Sequence, residues 1–138
     1  MISFDLAWQL RDAGLQWNPA EHDIFVLPGR ELDDQKFVVS GLPSIVQLYN
    51  GHPVVTFHAS VEWALDYVML GEVLWLPQEH QLRDLLAAQI DLGATLCLER
   101  NALGYRCTVT LGGAQRSFDG SDAETAYGEA LLAALVET

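Results

Sequence analysis

The chain has 138 residues, half of them hydrophobic, and its 19 acidic residues against 7 basic ones give a formal charge of -12. That length fits one domain, since two would each approach the size at which a single core is marginal, and the even spread of apolar residues predicts no disordered segment. The negative field repels phosphate backbones and anionic lipid, and the few cations are scattered from Arg11 to Arg116, so composition argues against nucleic acid and membrane partners.

The opening Met-Ile-Ser-Phe-Asp-Leu-Ala-Trp brings an acid early and has neither a long apolar run nor a small-residue cleavage site, so it does not read as a signal peptide. No stretch approaches the roughly 18 apolar residues of a transmembrane helix, and a cytoplasmic protein is expected. Ser3 is the N-cap of a first helix, with Asp5 in its first turn, apolar positions at Phe4, Leu6, Ala7, Leu10 and Ala13, and Gly14 as its stop. Pro19 biases Asn18 away from helix, which leaves a loop carrying Trp17. Short apolar runs at 24–27 and 36–40, separated by an acidic loop with Glu31, Asp33 and Asp34, read as strands. Residues 44–49 and 54–58, joined through Asn50-Gly51, read as a β-hairpin.

Residues 61–70 read as a central core helix capped by Ser60 and ended by Gly71. Val61, Ala64, Leu65 and Val68 share one stripe, Trp63, Tyr67 and Leu70 a second beside it, and mainly Glu62 and Asp66 are left to solvent. A helix so apolar around its circumference has to be covered on several sides. After an extended link at 73–76, Pro77 opens a helix over 78–90 whose inner side is Gln81, Leu82, Leu85, Leu86 and Gln89. The softest internal boundary falls at residues 91–93. Strands at 94–100, 105–111 and 114–118 then form a meander turned by Gly112-Gly113, and Ser121-Asp-Ala-Glu124 is a capping box for a last helix striped by Ala123, Ala126, Tyr127, Ala130, Leu131, Ala134 and Leu135. The expected fold is a single α+β domain of antiparallel strands with three or four packed helices and a C-terminal β-β-β-α unit.

Candidate chemistry is sparse. Glu62 and Asp66 lie four apart on one helix face, with His58 a turn earlier, but a hard cation wants more oxygen ligands, so a solvated or arginine-paired acidic stripe is expected and no metal or cofactor. His22, His52, His58 and His80 have no local triad partners, and Gly112-Gly113 lacks the sequence context of a phosphate cradle. With Leu98 opposite Cys107 in the hairpin register, Cys97 points to the other face, so both cysteines are expected as free thiols. The tryptophans Trp8, Trp17, Trp63 and Trp75 all read as core residues, the alternative being that one or two of Trp17, Trp63 and Trp75 line a groove or contact surface, with Asp66 beside them and Arg83 as a further anchor.

Glu62-Trp63-Ala-Leu-Asp66, Leu74-Trp75-Leu-Pro77 and Gln81-Leu-Arg83-Asp-Leu-Leu, with Leu32-Asp33-Asp34 ahead of Phe37-Val-Val-Ser40 and Leu10-Arg11-Asp-Ala-Gly14 ahead of Trp17, resemble a family of short uncharacterised bacterial proteins. Its members are sometimes labelled pilus assembly proteins of the CpaE type, a label that implies a MinD-like ATPase. This chain departs from that implication: it has no glycine-rich, lysine-containing phosphate loop and is too short for a doubly wound nucleotide fold. The resemblance brings no active residues with it. The C-terminal strands and capped helix are also similar to HicB-like antitoxin domains, which act by binding a partner protein. The expected function is a non-enzymatic protein-interaction or accessory module that binds a protein partner or self-associates as a homo-oligomer. The first alternative is a small-molecule-binding protein or hydrolase with a pocket between the two halves near Trp63, Asp66 and Trp75. The second is an antitoxin-type inhibitor.

Overall fold

The computed structural model describes residues 1–28, 36–39, 44–49, 52–57 and 67–137. Helices and antiparallel strands make an α+β fold that closes on the expected β-β-β-α run. The chain divides into two compact units, Met1–Gln16 with Pro77–Thr138 and, inserted between these in sequence, Trp17–Leu76. Residues 91–93 fall inside the first unit.

Helix α1 (Phe4–Asp12) starts where Ser3 Oγ accepts the Leu6 amide at 3.1 Å, and it buries Leu6, Ala7 and Leu10. Its end is a Schellman motif: the Leu15 amide donates to the Leu10 carbonyl and the Gly14 amide to that of Arg11, both at 3.0 Å.

In the inserted unit, β1 (Ile24–Val26) pairs with β2 (Lys36–Val38), and β3 (Ser44–Tyr49) pairs with β4 (His52–Phe57) in a register that sets Tyr49 opposite His52. The second strand thus covers 52–57 where 54–58 was expected, and Asn50, Gly51 and His58 lie outside the described residues.

The expected central helix is corrected in its described part. Tyr67–Met69 is a strand, β5, which sets Val54, Val55 and Thr56 of β4 opposite Met69, Val68 and Tyr67. Leu70–Glu72 is a single 3-10 turn, so Gly71 lies within that turn and does not end an α-helix. A short run rich in apolar and β-branched residues suits a strand as well as a helix, and here it pairs with β4 at the edge of the sheet. Ser60, Glu62, Trp63 and Asp66 lie outside the described residues.

The extended link becomes β6 (Leu74–Trp75), which pairs with the free side of β1 to complete a three-stranded sheet of order β2-β1-β6. Val26, Leu27, Leu74 and Leu76 are buried to within 1%.

In the first unit, the Gln78 amide donates to Gln81 Oε1 at 2.9 Å at the start of α2 (Glu79–Gln89), with Pro77 one place ahead of the cap. Leu82 and Leu86 are buried one turn apart, while Gln89, expected on the inner side, is exposed. Strands β7 (Leu96–Asn101), β8 (Gly104–Leu111) and β9 (Ala114–Gly120) form the meander in the expected register, Leu98 opposite Cys107 and Cys97 opposite Thr108. Gly112 and Gly113, at φ 58° and 82°, make the β8–β9 turn with both central residues left-handed, the geometry that follows the twist of the flanking strands.

Helix α3 (Ala123–Val136) packs on β8, β9, α1 and α2 through the expected alanine-rich stripe. Its cap is one residue later than expected: Asp122, not Ser121, has the extended cap backbone, and its Oδ1 accepts the Thr125 amide at 2.8 Å. Among the described residues, no helix is long and apolar enough to cross a membrane.

Candidate functional site

The segment from Trp17 to Asp23 is a loop with no regular structure, yet its hydrogen bonds leave it little freedom. Asp23 is 3% exposed, and its Oδ2 accepts two donors, the Trp17 indole N–H and the Ala20 amide, each at 2.9 Å. The Asp23 amide closes a turn onto the Ala20 carbonyl, which leaves His22 at φ 76° in the left-handed region, where histidine is among the better tolerated side chains. Donation from His22 to the Val39 carbonyl and from Val39 to the Asp23 carbonyl then carries the β1–β2 ladder into the loop.

This clamp sets Trp17 against an aromatic row. On the sheet, Phe25 of β1 stands directly opposite both Phe37 of β2 and Trp75 of β6. Phe25 is fully buried, with its ring centroid 5.5 Å from that of Phe37. Trp17 lies 5.7 Å from Phe25 at a 39° tilt and 6.2 Å from Trp75 at 12°, a stacked pair. Contacts of this kind contribute roughly 0.5–1.5 kcal/mol each beyond area burial. Both indoles keep part of their surface exposed. They differ in one respect: Trp17 donates to Asp23, whereas the buried Nε1 of Trp75 has no acceptor among the described residues.

Of the expected contact residues, Trp17 and Trp75 are therefore together, while Trp63 and Asp66 lie outside the described residues. Arg83 belongs to the other unit, exposed on α2 with Nε 3.9 Å from the Asp84 carboxylate. On the same helix neighbourhood, burial raises the Tyr127 hydroxyl above the usual tyrosine value, and the Arg83 cation pulls it the other way. Trp8 lies on the open side of α1 with the Arg11 guanidinium 5.2 Å from its ring. Asp23 is not among the candidate residues that the sequence singles out. Its signal was an acid immediately ahead of an apolar strand in a loop that also holds Trp17 and Pro19.

Chemically, the Asp23 carboxylate positions an aromatic, since it accepts the indole N–H of Trp17 and the amide of Ala20 from its own loop. The cysteines are free as expected, Cys97 exposed and Cys107 buried, and burial, with Cys97 adding, pushes the Cys107 thiol up to about 11, away from thiolate chemistry. Arg106 pairs with Asp119 across β8 and β9 at 2.8 Å, and this hydrogen bond holds the Asp119 carboxyl below the usual carboxylate range. Among the described residues, no three His, Cys, Asp or Glu side chains gather as a metal site. No family model, no curated protein and no solved structure matches the chain.

Proposed function

We propose that the chain is a non-enzymatic protein-interaction module whose contact point is the Trp17–Trp75 pair. The observation that supports this is the stack itself: two partly exposed indoles, 6.2 Å apart, with Trp17 anchored by a buried carboxylate. Large aromatics held rigid before binding lose little conformational entropy on contact, which is why tryptophan is enriched among the few residues that dominate interface energetics. A chain of charge -12 favours a partner that sets an apolar side chain within a basic rim, since such complementarity speeds encounter and disfavours acidic competitors. An antitoxin-type inhibitor is one form of this reading, and self-association is another, though it works against like charge. The free thiols support a reducing, cytoplasmic setting.

The test is cross-linked affinity purification with the tagged wild-type chain and with Trp17→Ala, read by quantitative mass spectrometry and accompanied by sedimentation velocity of each. A protein, or a second copy, recovered by the wild type and reduced at least about tenfold with the variant would support the reading, as loss of an interface anchor costs 2 kcal/mol or more. Equal recovery by both would overturn it.

A small-molecule-binding protein is the second reading, favoured by the buried Trp75 Nε1 donor, which lacks an acceptor among the described residues. A saturable thermal shift with an oxygen-bearing aromatic or heterocyclic compound, lost in Trp75→Phe, would select it over the first.

A further inference from the structure

We draw no further inference here: the strongest candidate, the open cleft of about 290 Å³ beside the β7–β8 turn, lined by Asn101, Leu103, Tyr105, Arg106, Asp119 and Ser121, carries nothing because its two charged groups are exposed and already paired with each other and nothing in the structure shows what covers it.

Discussion

The Asp23 carboxylate, almost wholly buried, accepts the Trp17 indole N–H at 2.9 Å and thereby fixes a ring that lies against both Phe25 and Trp75. A single oxygen of that carboxylate also holds the Ala20 amide, so the turn and the ring are positioned by the same atom.

Removing the carboxylate leaves the Trp17 indole and the Ala20 amide without their acceptor. Asp23→Ala is expected to destabilise the protein by about 2–3 kcal/mol, because hydrogen bonds to a charged group contribute roughly 1.5–3 kcal/mol and orphaned donors add a desolvation cost. Asp23→Asn keeps a carbonyl oxygen and should lose about 1 kcal/mol. Urea unfolding followed by tryptophan fluorescence measures both, and an Asp23→Ala midpoint equal to that of the wild type would disprove the clamp.

The two indoles should respond differently to loss of their N–H. Trp17→Phe breaks a hydrogen bond to a buried carboxylate and should cost about 2 kcal/mol. Trp75→Phe removes a donor that has no acceptor among the described residues, and the relief offsets much of the lost ring area, for a net cost of about 1 kcal/mol or less. Chemical denaturation of the two variants side by side gives the comparison. Equal losses would mean that Trp75 Nε1 is bonded in solution.

The cap of α3 makes a pH-dependent contribution. Burial alone would raise the Asp122 carboxyl, but hydrogen bonds from the Thr125 hydroxyl and amide, together with the Met1 ammonium 3.5 Å away, hold the group below the ordinary carboxylate value. A depressed folded value means the stabilisation is present above the unfolded value of about 4 and is lost as pH falls through the lower folded value. Asp122→Ala should therefore cost about 1 kcal/mol at pH 7, typical of a lost N-cap, with the difference from wild type shrinking below about pH 4. Thermal unfolding at pH 7, 5, 4 and 3 follows it, and a difference that stays constant down to pH 3 would contradict the depressed titration of Asp122.

The thiols should separate by accessibility. With Cys97 exposed and Cys107 buried and raised to about 11, a disulfide reagent at pH 8 is expected to titrate one thiol in the native protein and both in urea. Cys97→Ser should leave no fast-reacting group. Rapid reaction of both thiols without denaturant would mean that the two strand faces are not those described.

How far the fold could be read from sequence varied with the locality of the signal. Ser3, Asp5 and Gly14 bound α1 within one short segment, and Gly112-Gly113 and the alanine stripe mark the last hairpin and helix as plainly. Ser121 and Asp122 are adjacent cap candidates of the same chemistry, and only the backbone angles and the Thr125 bond choose between them. At Tyr67–Met69 the apolar run was compatible with either period, and the neighbouring strand β4 decided the outcome. Of the candidate contact residues, their type alone singled out Trp17 and Trp75, while their meeting depended on β1 pairing with β6 and on Asp23 folding the loop back.

By itself, the amino-acid sequence determined the acidic character, the α+β class and the elements whose caps, turns and periodicity lie within a dozen residues of each other. Tertiary structure alone decided that residues 67–69 extend along β4, and that Trp17, Phe25, Phe37 and Trp75 form one cluster. The reason is physical: a cap or turn is satisfied by its own neighbours, whereas a short apolar segment takes whichever conformation lets distant parts of the chain pair its backbone and cover its side chains.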